Sequence, residues 1–295
     1  MKKVFLTLAL TSLTGGLLHT LTAAACDAKG ASGIVAENSM YIPANMKSLN
    51  GGITEDAFNN AMDKIEKIYS PIISAKGKTL LIERNWEDGT VNAYASQSGN
   101  TWKVAMFGGL ARHEVITADG FALVVCHELG HHLGGVPKKR EFFGNTWASN
   151  EGQADYFGTM KCLRKYMEKD NNIEMVKVLN VDPVATERCN KSFSAPNDIA
   201  MCERGAMAGK SLGNLFRALR QSPLELKFDT PDNSVVSKTK DNHPDSQCRL
   251  DTYFAGSLCD KNHYDDVSNS NPNLNVCSLV EGYNFGTRPL CWYKP

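Results

Sequence analysis

The sequence predicts an α+β fold: a small antiparallel sheet, a buried helix beside it, further helices, and a disulfide-rich C-terminal region. Three observations carry this. Residues 79–107 hold three short runs of strand character, residues 118–133 form an apolar run closed by glycines, and four of the nine cysteines crowd into residues 248–291. The chain has 295 residues, enough for one large domain with a modest extension, and its 42% hydrophobic content can supply a core. Lys plus Arg and Asp plus Glu both total 32, and no basic block interrupts the balance, so nucleic acid is excluded as a partner.

The N-terminus has the layout of a secretory leader. Lys2 and Lys3 precede the apolar run Val4 to Leu10, a second apolar stretch runs through Leu21, and Ala23-Ala24-Ala25 supplies small residues for cleavage. A retained membrane anchor is the alternative, weakened by Gly15-Gly16 and His19. The expected organisation is therefore a signal peptide at residues 1–25, a catalytic domain at 26–245 and a cysteine-rich extension at 246–295, with the mature chain starting at Cys26. A lipidated Cys26 would tether the protein to a membrane. Ala23 stands where the lipoprotein signal usually carries Leu, which favours a free cysteine and leaves both forms open. The other eight cysteines are an even set, which in an exported chain points to disulfides of undetermined connectivity. Cys126, inside an apolar helix, has the second reading of a buried free thiol.

The elements follow from spacing and punctuation. Phe58, Ala61, Met62, Ile65, Ile68 and Tyr69 recur at helical intervals between a Thr54 cap and a Pro71 stop. Residues 79–83 and 90–95 read as strands around the Asp88-Gly89 turn, and Thr101 to Phe107 as a third. Ala118 to Leu133 reads as a helix ended by Gly134-Gly135 and Pro137. Two more helices are expected, over 149–167 and 202–219. The stretch 221–245, with three prolines, reads as a long loop.

The chemistry is carried by His127-Glu128-Leu129-Gly130-His131. Histidines at i and i+4 project from one helix face, close enough for two imidazole nitrogens to bind one Zn2+ ion. Glu128, one residue past the first ligand, is placed to take a proton from a water at the ion. A bare H-E-x-x-H arises by chance in many proteins, but its place in the buried run from Phe121 to Leu133 narrows the reading. The metzincin pattern is excluded, because Pro137 stands where the third histidine belongs. In the gluzincin arrangement the third ligand is a glutamate on the following helix, and Glu151 occupies that place. Asp155, one turn later, can accept the second ring N–H of a zinc-bound histidine. Acids favour helix N-termini in any case, which is the bland reading of this pair. His132 is expected to be a packing or surface residue, and His113 and His263 surface residues.

At this point the sequence resembles the HtpX, BepA and CAAX-prenyl-protease group of gluzincin peptidases over about half the chain. The group's N-A-F-A strand is matched by Asn92-Ala93-Tyr94-Ala95, its metal helix by residues 121–131, its E-x-x-x-D element by Glu151 and Asp155, and its late H-P-x-x-x-x-R element by His243-Pro244 and Arg249. The resemblance implies a zincin-like fold and a zinc-dependent endopeptidase of the bacterial cell envelope, acting on polypeptides with one zinc per chain. It implies a site role for His243, as a donor to the oxyanion or as a gate over the open zinc position, and for Arg249, as the partner of a carboxylate near the site. The rival reading for both is a turn-forming His-Pro and a surface charge. The strand match and the alternation of Trp102, Val104 and Met106 lead to a substrate-binding expectation for Asn92, Ala93, Val104 and Met106, with Thr101 to Phe107 as an edge open to an extended peptide. Two further functions stay open on sequence: a zinc hydrolase acting on a non-peptide amide, and a catalytically silent envelope zinc protein.

Overall fold

The computed structural model describes residues 23–24, 33–46, 51–141 and 144–295. The leader apart from Ala23–Ala24, and Cys26, lie outside the described residues. The architecture is α+β, with one four-stranded sheet, one two-stranded sheet and several disulfides.

Strand β1 is the two-residue piece Ala23–Ala24, and helix α1 spans Glu55–Ser74. Thr54 caps α1 by accepting from Ala57 N, as its hydroxyl and position suggest. The helix does not stop at Pro71, which lies on its exposed side. One backbone donor is lost there, but burial of Ile73 beyond it and the bond from Ala75 N to Pro71 O carry the helix another turn.

The strands that follow are β2 (Thr79–Asn85), β3 (Ala93–Ser98) and β4 (Thr101–Phe107), in the order β1-β3-β4-β2. This corrects the expected antiparallel sheet. Strands β3 and β4 pair antiparallel, yet β2 pairs parallel with β4 in the register Thr79↔Thr101 to Asn85↔Phe107, so the sheet is mixed. Asp88-Gly89 does not join β2 and β3 as a hairpin; there Gly109 N donates to Asp88 O and Ile42 N to Gly89 O. Thr101 to Phe107 is consequently the interior strand, hydrogen-bonded on both sides, and offers no edge to a peptide. Val104 and Met106 are fully buried in the core. Asn92 and Ala93 are engaged by the chain's own N-terminal segment: Ile34 N donates to Ala93 O, and the Asn92 amide exchanges bonds with the backbone of Val35. The edge expected of Thr101 to Phe107 is therefore not found, and Asn92, Ala93, Val104 and Met106 are all engaged by contacts within the chain. Beyond Ala93, the outer side of β3 carries β1, with Ala24 opposite Ser96 and Ala23 opposite Gln97.

After a short α2 (Gly108–Arg112), helix α3 runs over Ala118–Leu133, the range expected, capped by Thr117 and closed at Gly134. From Gly120 to His132 it is buried on all sides, which explains why it is apolar all round rather than striped. Strands β5 (Lys138–Glu141) and β6 (Gly144–Ser149) form a small antiparallel pair leading into α4 (Glu151–Phe157). A π-helical turn, Gly158–Leu163, joins α4 to α5 (Arg164–Met167), so the expected helix is one rod with a widened middle. Helices α6 (Asn172–Lys177), α7 (Pro183–Ser192), α8 (Pro196–Leu219) and α9 (Ser246–Leu258) complete the fold.

All eight cysteines beyond Cys26 are paired: Cys126–Cys162, Cys189–Cys202, Cys248–Cys291 and Cys259–Cys277. Cys126 is thus not a free thiol; it ties α3 to the π turn. The C-terminal stretch is more than a stapled appendage. Its Trp292 is fully buried against Gly152, where a Cβ would stand 2.2 Å from the indole. Its Gly286 carbonyl accepts from the Tyr156 hydroxyl at 2.6 Å. The tail therefore braces the outer side of α4. Among the described residues no helix is long and apolar enough to cross a membrane.

Candidate metal centre

The centre is assembled where α3 and α4 touch. Gly130 makes that contact close, since a Cβ on it would stand 2.9 Å from the Ala154 backbone. The end of α3 is tied to the start of α4 by Gln153, whose side-chain amide donates to Gly134 O at 2.7 Å, and to β6 by Ser149, whose hydroxyl donates to Gly135 O at 2.7 Å. Asn150 caps α4 by accepting from Gln153 N. Gly130→Val should therefore displace α4 from α3. The expected outcome is a destabilisation of about 1–3 kcal/mol, typical of overpacking, with weakened metal binding. Thermal unfolding and metal titration of the variant check it.

His127, Glu128 and His131 present potential ligand atoms within 4.8 Å of one another, all buried. The ring of each histidine is oriented by its other nitrogen. His127 Nδ1–H donates to Asp155 Oδ1 at 2.7 Å, and His131 Nδ1–H donates to Ser149 O at 2.8 Å. Both Nε2 atoms thereby turn toward Glu151, whose Oε2 lies 3.3 Å from that of His127 and 3.7 Å from that of His131. Bonds of 2.0–2.1 Å to a tetrahedral ion imply ligand separations of roughly 3.3 Å. The two separations from Glu151 Oε2 lie at or near that value. Among the described residues, His127 Nε2, Glu151 Oε2 and both Glu128 carboxylate oxygens are buried without a hydrogen-bond partner. Unpaired polar atoms converging at one buried point are costly unless a ligand satisfies them.

Around this sits a charged frame. Arg249 on α9 clamps Asp155 from Nε and Nη2, each at 2.8 Å, and donates from Nη1 to Ile34 O at 2.6 Å. The Tyr253 hydroxyl donates to Asp155 Oδ1 at 2.5 Å. Burial alone would push the Asp155 carboxyl up, but Arg249 and His127 outweigh it and hold it at about 2. Burial likewise opposes a charge on His127, yet Asp155 raises it to about 9. Burial in the first place lifts Glu128 to about 7. Glu151, which burial would raise, is held well below the usual carboxylate range by His243, His131 and His127. Its second oxygen, Oε1, accepts from Lys139 Nζ at 3.2 Å.

The sequence-derived residues thus come together unevenly. His127, Glu128, His131, Glu151 and Asp155 share one cluster, and Arg249 joins it through Asp155. The long loop brings His243 in as well, with Nε2 at 3.1 Å from Glu151 Oε2. Lys139 and Tyr253 were missed. Tyr253 had a signal, standing four residues after Arg249 on one helix face, whereas Lys139 on a two-stranded hairpin had none. His132 is a packing residue, sandwiched between Trp102 and Trp147 with ring centroids at 5.1 and 4.8 Å. His113 is buried rather than on the surface, because it closes α2 and accepts from Val115 N. His263 is partly buried beside Glu168. In comparisons with protein-family models, curated proteins and solved structures, no significant match to this chain was found.

Proposed function

We propose that the protein is an exported zinc-dependent endopeptidase of zincin-like architecture, with His127, His131 and Glu151 as metal ligands and Glu128 as general base. The observation that carries this reading is the convergence of His127 Nε2 and Glu151 Oε2, buried 3.3 Å apart and neither making a hydrogen bond, beside a buried Glu128 carboxylate that makes none either. A structural metal site needs no such carboxylate. The four disulfides support an oxidising, extracytoplasmic compartment.

Zinc at this point supplies Lewis acidity, which acidifies a water and polarises a carbonyl. The side chains do the rest. Glu128, next to the first histidine on α3, can take the proton of the attacking water and pass it to the departing amine nitrogen. Asp155 and the Ser149 carbonyl keep each histidine in the tautomer that leaves Nε2 free. Arg249 and Tyr253 fix Asp155 in turn.

His243 stands at the side of Glu151, where its imidazole can donate to the oxygen of an attacked carbonyl. His243→Ala should lower turnover roughly ten- to a thousandfold, as for a lost oxyanion donor. Steady-state kinetics distinguish this from a gate, whose removal would raise activity. The function itself is tested by incubating purified protein with unfolded polypeptides, with and without a chelator. Chelator-sensitive cleavage is expected. Absence of cleavage by a zinc-loaded protein would favour a non-peptide substrate or a silent site.

A further inference from the structure

Far along the chain from the metal centre, a second concavity of about 410 Å³ lies between α1, the end of α5 and Tyr264 of the C-terminal tail. Its rim is strongly basic. Lys64 and Lys67 stand at i and i+3 on α1, on the face that also carries Ile68 and Ile72, while Lys165 and Lys169 stand at i and i+4 on the opposite wall. Like charges at these spacings repel one another, and collecting two such pairs around one hollow compounds the cost.

The nearby acids relieve it only in part: Asp170 pairs with Lys64, and Glu168 lines the same concavity. Asp170 is taken by Lys64 at 2.5 Å and by Arg204 at 3.0 Å, Asp266 by Lys76 at 2.8 Å, and Glu168 by the Tyr264 hydroxyl and His263. Among the described residues no carboxylate lies within ion-pair distance of Lys67, Lys165 or Lys169. Lys165 is the most enclosed of the three, with its ammonium 5.5 Å from the Tyr69 ring centre and 5.6 Å from that of Tyr264. Burial lowers its pKa, a cost that a bound anion would offset. The walls between the charges are apolar or aromatic: Ile68, Ile72, Tyr166 and Tyr264.

We infer that this concavity is a binding site for a phosphomonoester, held by Lys67, Lys165 and Lys169, with the rest of the ligand lying against the tyrosines and isoleucines. Lysines serve phosphate as point charges that can approach from several directions, and a doubly charged anion matches three ammonium groups better than a carboxylate does. The same group is carried by soluble sugar phosphates and by lipid headgroups such as phosphatidic acid. The site does not depend on the metal centre or on the peptidase reading.

The test uses the full mature protein. Binding of inorganic phosphate and glucose 6-phosphate is measured by calorimetry at low and at physiological salt, and binding to phosphatidylcholine vesicles with and without phosphatidic acid by co-sedimentation. Saturable binding is expected in at least one arm. Binding of the soluble phosphates assigns a free ligand, and binding confined to the phosphatidic acid vesicles assigns a headgroup. Lys165→Gln should weaken binding on the order of tenfold, the effect of one lost charge-assisted contact. Lys169→Glu, on an exposed side chain that folding does not need, should weaken it at least as much. Lys191→Gln, on α7 and paired with Glu187, is the control and should change nothing. No saturable binding in any arm, or binding indifferent to both Lys165→Gln and Lys169→Glu, overturns the inference.

Discussion

Replacing Glu128 by Gln is expected to abolish hydrolysis while leaving the metal in place. The substitution keeps shape and volume but removes the carboxylate proposed to accept a proton from water. General-base catalysis contributes on the order of 10²–10⁴-fold, so kcat should fall by that factor. Metal content should not fall, because His127, His131 and Glu151 are untouched. Folding should not suffer either: both Glu128 oxygens are buried without partners, and a neutral amide is easier to bury than a charged carboxylate. Kinetics, zinc analysis and a melting curve on the same preparation separate these outcomes. Undiminished turnover would remove Glu128 from the mechanism.

Arg249→Met should do the opposite, damaging the fold as much as the chemistry. The guanidinium is fully enclosed, forked onto Asp155, and stacked over Phe216 at 3.9 Å. Without it the fully buried Asp155 keeps His127 and Tyr253 as its side-chain partners. Breaking one side of a buried ion pair costs about 3–5 kcal/mol, and disturbing the group behind a metal ligand lowers metal affinity about 10–100-fold. Arg249→Lys should not restore either property, since an ammonium cannot reproduce the fork. Tyr253→Phe, which removes one of the bonds to Asp155, should be milder, near 1–3 kcal/mol. Urea unfolding and competitive zinc titration of the three variants give the ranking.

What the sequence disclosed depended on how local each signal is. Helix α3 was legible end to end because its cap at Thr117, its apolar run and its glycine stop all lie within its own residues. Glu151 and Asp155 were picked out by the gluzincin pattern, which asks for a glutamate on the helix after the metal helix, and their four-residue spacing fixes a common face. Strand pairing was not. Residues 79–85 pair with β4 and not with β3, a choice that no signal within residues 79–107 discloses. The peptide-edge expectation failed with it, since alternation along Thr101 to Phe107 cannot tell an outer strand from an inner one. Pro71 misled for a related reason: burial of Ile73 beyond it outweighs a single lost bond. The disulfides join residues 13 to 43 apart in pairings that spacing does not choose between, and the way Trp292 returns to cover Gly152 depends on a contact across more than a hundred residues.

The most direct measurement is the zinc content of the purified chain and of Glu151→Gln after exhaustive dialysis without chelator. The wild-type chain should retain about one zinc, as three-ligand catalytic sites do. Glu151→Gln loses the charged oxygen that stands 3.3 Å from His127 Nε2 and 3.7 Å from His131 Nε2, and should retain well below half as much. A wild-type chain that neither carries nor takes up zinc, or a Glu151→Gln chain that holds it as tightly as the wild type, would contradict the assignment of this cluster as a metal centre.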